Sequence, residues 1–213
     1  MLGGTFDPVH RGHVASAIEV ADALALDRVL LVVSARPPHK PGGARASADH
    51  RLAMTALAAR ADARLEACGL ELERSGPSFT VDTLSVLAAR HPESRVTLIV
   101  GIDAFEEIAT WKQAERLFEY ADIVVTTRPG HGWEAGRLEW PFAASDDGRY
   151  DPAIAGYVHR HGSTLTSIEL AGVEVSASEV RGRLEAGRPV DDLVGADVAA
   201  YIAKHQLYGA RPH

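Results

Sequence analysis

The amino-acid sequence predicts an α/β fold, a doubly wound parallel sheet with a small helical appendage at its C-terminal end. Two observations lead there. Residues 28–34 (RVLLVVS), 95–101 (RVTLIVG) and 122–127 (DIVVTT) are short aliphatic runs with little polar alternation, the pattern of strands buried on both faces. Between them lie alanine- and leucine-rich stretches with apolar residues at helical spacing. Strands therefore alternate with helices, and parallel neighbours are joined by right-handed crossovers.

In chain order, residues 14–24 read as the first helix and residues 28–34 as a buried strand. Only Met1 and Leu2 precede Gly3, whereas a buried strand usually has about five residues. The first strand is therefore expected to be unusually short, or the sequence to begin late relative to it. Residues 35–43 (ARPPHKPGG) form a loop by their prolines and glycines and hold His39 and Lys40 on a stiff stalk. Residues 49–61 are helical, and 64–73 are strand-like with a break at Gly69. A helix then runs to about Arg90, with Ser78 or Thr80 as its N-cap.

After the strand at 95–101, Ile102 and Asp103 leave its C-terminal end, where open α/β sheets bind ligands. Trp111 precedes a helix over 112–120, and 122–127 is the next strand. From about 130 to 162 the composition shifts to Gly, Pro, Trp and mixed charge; this insertion holds at most one helix, near 153–161. Residues 165–170 form a strand, 175–181 open a helix and 198–205 carry the last one. Residues 1–175 are thus read as the α/β core and 176–213 as a helical part packed on it.

The composition suits one core plus an appendage: 213 residues, 46% hydrophobic and 24% charged. With 22 basic and 29 acidic residues the formal charge is −7, which argues against a nucleic-acid partner, since such binding neutralises many phosphates. A nucleotide-sized ligand remains allowed. Cys68 is the sole cysteine, so no intrachain disulfide forms and a reducing compartment is the simpler setting. The longest aliphatic run, Val29–Val33, is far too short to span a bilayer. A cytoplasmic protein without membrane partners is expected, and a homo-oligomer is left open.

The first thirteen residues, MLGGTFDPVHRGH, concentrate the chemistry. Gly3 and Gly4 let a backbone approach a ligand closely, and a helix starting near Gly12 aims its free N–H groups and positive dipole end at an anion. His10 and His13 lie three apart and share a face if the first turn is helical. The segment is neither GxGxxG nor a Walker A loop, and the two histidines lack an obvious third metal ligand nearby. At the other end, Ser176 and Glu179 have capping-box spacing, which explains both without a ligand, yet a capped helix start is also an anion site.

Residues 4–13 (GTFDPVHRGH) and 176–181 (SASEVR) resemble the two marks of a nucleotidyltransferase superfamily, a GTFDPxHxGH-type loop and an SSTxxR-like helix start. Within it the chain resembles the bacterial nicotinate-nucleotide adenylyltransferases, through residues 37–40 (PPHK), 78–84 (SFTVDTL), 100–103 (VGID) with Trp111, and 201–208 (YIAKHQLY). The likeness spans nearly the whole chain except about 130–162, and the order and spacing of the segments make it specific. One departure is Ala177, where the family usually carries a hydroxyl.

The resemblance implies a Rossmann-like nucleotidyltransferase fold and transfer of the adenylyl group of ATP to nicotinate mononucleotide, with Mg²⁺ as the accompanying metal. It implies catalytic roles for His10, His13 and Lys40, the lysine acting as a cation on the transferring phosphates. Gly4, Thr5, Phe6, Gly101, Asp103, Ser176, Ser178 and Arg181 would join the histidines in contacting ATP, with Asp103 on a ribose. Lys40, Thr80 and Trp111 would contact the pyridine nucleotide, Trp111 by stacking and Thr80 near the nicotinate carboxylate. No residue is assigned as a metal ligand, and Asp7 is expected to shape its loop rather than to catalyse. Alternatives are an adenylyltransferase acting on nicotinamide mononucleotide or phosphopantetheine, or a nucleotide-sensing domain without turnover. The last would be expected to lack His10, His13 or Lys40, and all are present.

Overall fold

The computed structural model describes residues 1–37, 42–127, 139–142 and 147–210. Lys40 and His39, and most of the insertion before residue 147, lie outside the described residues. The chain divides into two compact units, one of Leu2–Ser78 with Gly172–His213, the other of Met1 with Phe79–Ala171.

In the first unit, β1 (Leu2–Gly4), β2 (Val29–Val33) and β3 (Leu65–Cys68) run parallel in the order β3-β2-β1. Leu2 pairs with Leu31, and Leu31 with Ala67. The first strand is indeed only three residues long. α1 (Arg11–Ala23) and α2 (Ala48–Ala58) cross between these strands, and α1 buries Ala17, Val20 and Ala21. The C-terminal segment adds α6 (Ala177–Glu185), α7 (Asp191–Val194) and α8 (Ala196–Lys204). Helix α8 packs on α2, where the Tyr201 hydroxyl meets Nδ1 of His50 at 3.0 Å. Val9, Leu31, Met54 and Ile202 are fully buried here, each contributing about 1.5–3 kcal/mol. Leu70–Glu73, read as the end of a strand, is instead a turn: the chain folds back at Gly69, whose carbonyl accepts from Leu72 N at 2.8 Å, and the parallel ladder stops at Cys68.

In the second unit, β4 (Thr97–Gly101), β5 (Asp122–Thr127) and β8 (Thr164–Glu169) are parallel, with Ile99 opposite Val124 and Val125 opposite Ser167. The antiparallel strands β7 (Gly156–His159) and β6 (Gly148–Asp151) extend this set from β8. That hairpin replaces the helix expected near 153–161. Gly156 shows why: a Cβ there would lie 2.3 Å from the Leu165 carbonyl oxygen, a backbone approach that only glycine allows. Met1 belongs to this unit, its ammonium donating to the Thr97 carbonyl at 2.7 Å.

The helices of this unit are α3 (Thr80–Arg90), α4 (Ile102–Glu106) and α5 (Leu117–Tyr120). The helix expected over 112–120 is broken: Gln113 takes a left-handed conformation (φ 48°), and a 3-10 turn leads into the single turn of α5. Among the described residues no helix is long and apolar enough to cross a membrane.

Candidate active site

The opening loop turns sharply after β1. Phe6 takes φ 48°, and its ring is buried against the backbone of Gly4, where a Cβ would lie 2.8 Å from Phe6 Cε1. Glycine is therefore required at position 4, and Phe6 can meet a ligand only through its backbone. The edge of that ring abuts His13, with centroids 4.9 Å apart at 84°.

Helix α1 starts at Arg11 with His10 as its N-cap in extended conformation. The first turn brings the two histidines together as expected: their rings stack at 3.6 Å and 27°. The backbone N–H of His10 donates to Nδ1 of His13 at 3.2 Å, so in this arrangement the His13 proton sits on Nε2. Gly12 lies under the same pair, where a Cβ would be 3.1 Å from His10 Nδ1 and from the Val173 carbonyl oxygen.

Asp7 holds the loop rather than facing a reaction. Its buried carboxylate accepts from Arg45 N (2.8 Å), Ala46 N (3.1 Å) and the Tyr208 hydroxyl (2.8 Å). The Tyr208 pKa is pushed up, first by burial and then by the hydrogen bond and charge of Asp7, so the hydroxyl stays a donor. Arg51 of α2, fully buried, donates to the carbonyls of Thr5 (2.6 Å), Ser34 (2.7 Å) and Ala46 (3.2 Å), which occupies the Thr5 carbonyl. Burial lowers the Arg51 pKa and the nearby charge of Asp7 opposes that. Arg51 was not singled out in the sequence; its signal was the one arginine or lysine of α2, at the start of its mostly apolar stretch over residues 52–58.

Ser176 caps α6 as expected, accepting from Glu179 N at 3.1 Å. The reciprocal half of a capping box is not made: the Glu179 carboxylate turns to Arg183, 3.0 Å away. One turn into the helix, Arg181 donates through Nη1 to the Asp7 carbonyl (2.7 Å) and through Nη2 to Ser178 Oγ (2.9 Å), while its Nε is buried without a partner. Among the described residues its hydrogen-bond partners are thus neutral, and its positive charge is not spent on a carboxylate. Gly4, Thr5, Phe6, His10, His13, Ser176, Ser178 and Arg181 are all assembled within this unit.

The other expected residues belong to the second unit. Exposed Gly101 ends β4 and caps α4, with Asp103 exposed in the first helical turn; Asp103 is therefore not an N-cap. Thr80 is the first residue of α3, but the N-cap is Phe79, and neither Ser78 nor Thr80 caps it. The Ser78 hydroxyl is used elsewhere, accepting from Arg36 N at 3.0 Å. Trp111 is half-buried. The next residue, Lys112, is 3.0 Å from the Asp82 carboxylate and sits over the Phe79 ring, 4.7 Å from its centroid. This joins the Trp111 segment to the first turn of α3, a link between positions 30 apart that spacing alone does not reveal.

Comparison with known proteins agrees with this geometry. A family model described as cytidylyltransferase-like matches residues 1–183. A probable nicotinate-nucleotide adenylyltransferase of Thermus thermophilus is 40% identical over 208 residues, covering 98% of this chain and 97% of that protein. One from Symbiobacterium thermophilum is 38% identical over 208 residues, covering 98% and 93%. Among solved structures, the Plasmodium falciparum nicotinic acid mononucleotide adenylyltransferase complexed with NaAD shares the fold, with a TM-score of 0.69 at 19% identity, covering 100% of this chain and 97% of that one. Similarity of this extent, over chains of nearly equal length, has one reading: the protein belongs to the cytidylyltransferase-like family and, within it, to the nicotinate-nucleotide adenylyltransferases.

Proposed function

We infer that this protein transfers the adenylyl group of ATP to nicotinate mononucleotide, forming nicotinate adenine dinucleotide and pyrophosphate. The structural observation that carries this reading is the pairing of stacked His10 and His13 at the start of α1 with the guanidinium of Arg181, whose hydrogen-bond partners among the described residues are neutral and which is tied to the same loop through Asp7. Together they form a donor-rich, cationic surface suited to a polyphosphate.

The chemistry needs no covalent nucleophile. A 5′-phosphate oxygen of the acceptor attacks the α-phosphorus, the new P–O bond forms as the bond to the β-phosphate oxygen breaks, and pyrophosphate leaves with that electron pair. The chain's task is positioning and charge stabilisation. His13, with Nε2–H as donor, and His10 stabilise phosphate oxygens where negative charge builds; Arg181, with the capped start of α6 at Ser176 and Ser178, holds the leaving phosphates. Gly4, Thr5 and Phe6 line the phosphates by backbone, and Gly101 and Asp103 serve the adenosine part. Trp111 offers a flat apolar face to the pyridine, and Thr80, at a helix start, suits the nicotinate carboxylate. Lys40 completes the set as a cation on the transferring phosphates.

Mg²⁺ fits this reading as a companion of ATP, and would be brought to the site on its phosphates. Among the described residues no cluster of three His, Cys, Asp or Glu forms a cage, and the Asp7 carboxylate is occupied by protein donors. When bound it would supply further neutralisation of phosphate charge. A cytoplasmic setting, expected from the single cysteine, is part of the same reading.

The deciding experiment supplies ATP and Mg²⁺ with nicotinate mononucleotide, nicotinamide mononucleotide or phosphopantetheine in separate reactions and measures pyrophosphate. Release should be fastest with the nicotinate substrate. No release with it, or faster release with either rival, overturns the assignment.

A further inference from the structure

Asp7 is a junction of four segments. Its carboxylate binds the backbone at Arg45 and Ala46 ahead of α2 and the hydroxyl of Tyr208 near the C-terminus, and its carbonyl binds Arg181 of α6. The residue before it, Phe6, adopts the left-handed turn that places its ring against His13. Anything that moves Asp7 therefore reaches both halves of the phosphate-handling surface: His13 through Phe6, and Arg181 through the carbonyl.

The C-terminal contact is the unusual one. Tyr208 lies in a 3-10 turn, Leu207–Gly209, and both Gln206 (φ 51°) and Tyr208 (φ 57°) are left-handed without being glycine. Such conformations are costly for residues with a side chain and persist where surrounding interactions over-determine them. Here they end with a tyrosine hydroxyl delivered to a buried carboxylate, 2.8 Å from Oδ1. Among the described residues the other donors to that carboxylate are the neutral backbone N–H groups of Arg45 and Ala46, so the hydroxyl completes its solvation in a buried place. Desolvation keeps the phenol protonated, and it does not compete for the anionic role.

We propose that Tyr208 is a positioning residue for adenylyl transfer: its hydroxyl straps the C-terminal turn to Asp7 and so holds the opening loop and Arg181 in phosphate-binding register. The proposal rests on the reading of that surface as the ATP phosphate site. It predicts a specific loss when only the hydroxyl is removed, since the Asp7 carboxylate then lacks a donor while the ring still fills its place.

The test compares Tyr208→Phe with Leu207→Ala, which loosens the same turn without touching the Asp7 hydrogen bond. Three measurements are made on each full-length variant: the melting temperature, steady-state kinetics with ATP and nicotinate mononucleotide, and the Kd of a non-hydrolysable ATP analogue. Tyr208→Phe should lower kcat on the order of tenfold and weaken analogue binding by about threefold to tenfold, with the nicotinate-substrate KM changed less than about twofold. Leu207→Ala should lower the melting temperature with kcat and analogue Kd within about twofold of the parent. The proposal is overturned if Tyr208→Phe leaves both kcat and analogue Kd within twofold of the parent, or if Leu207→Ala reduces them as much. The analogue measurement separates this from the substrate assignment: an unmodified protein inactive with nicotinate mononucleotide would sink that assignment, while the Tyr208 effect on analogue affinity would still stand or fall alone.

Discussion

The backbone N–H of His10 donates to Nδ1 of His13 while the two imidazoles stack 3.6 Å apart. This leaves Nε2 of His13 as the donor and fixes its ring against Phe6 and His10, so its orientation is set before any ligand arrives. His13→Ala should lower kcat by about 10²-fold or more, the scale of losing a transition-state donor. Pre-steady-state measurement of the chemical step checks it; a change under about threefold would remove His13 from the mechanism.

Gly4 faces the Phe6 ring with no room for a methyl group. Because Phe6 is buried and already in a left-handed conformation, it cannot yield cheaply. Gly4→Ala should cost about 1–3 kcal/mol by chemical denaturation, the range for overpacking, and should reduce activity at temperatures where the variant is still folded. Unaltered stability would show that the loop has slack.

Trp111 and the neighbouring Lys112 separate two effects. Trp111→Ala should raise the KM for nicotinate mononucleotide and leave that for ATP unchanged. Lys112→Met breaks a half-exposed ion pair with Asp82 and a contact with the Phe79 ring, so only about a twofold to fivefold rise in the same KM is expected. Initial-rate titrations of each substrate distinguish these outcomes, and an effect confined to ATP contradicts both.

His159 supplies a pH signature. It is buried and stacked on Phe118 and Trp140, and its Nδ1 accepts from His161 N at 3.3 Å. Desolvation, helped by His161, holds its pKa below the ordinary 6.5. The unfolded chain therefore binds more protons at this position in mildly acidic solution, so its contribution to stability is present above pH 6.5 and declines as pH falls below that toward the lowered folded value. His159→Phe should flatten the fall in melting temperature between about pH 7.5 and 5.5, since a phenyl ring keeps the stack and cannot charge. Identical pH profiles for parent and variant would exclude His159 as the source.

Strands β2, β4 and β5 were legible because short continuous aliphatic runs have few uses other than a strand buried on both faces, and the start of α6 because Ser176 serves as its cap. The misreadings share a cause. The hairpin of β6 and β7 has no apolar run, and its strands exist because β8 supplies partners. The helix expected over 112–120 fails at Gln113, whose left-handed backbone no local signal requires. Ser78 looked like a cap and instead binds Arg36, a residue 42 positions away.

The sequence by itself determined the parts: a glycine- and histidine-rich loop ahead of a helix, a capped second helix start, and strands that can be covered on both faces. Only the tertiary structure decided which polar groups the protein keeps for itself and which it leaves for a ligand. Asp7 and Arg51 are occupied by protein partners, whereas the hydrogen-bond partners of Arg181 among the described residues are neutral. Those outcomes depend on contacts spanning 174 and 201 residues, made by side chains whose hydrogen bonds are chosen by proximity in space, and neighbours along the chain do not encode that proximity.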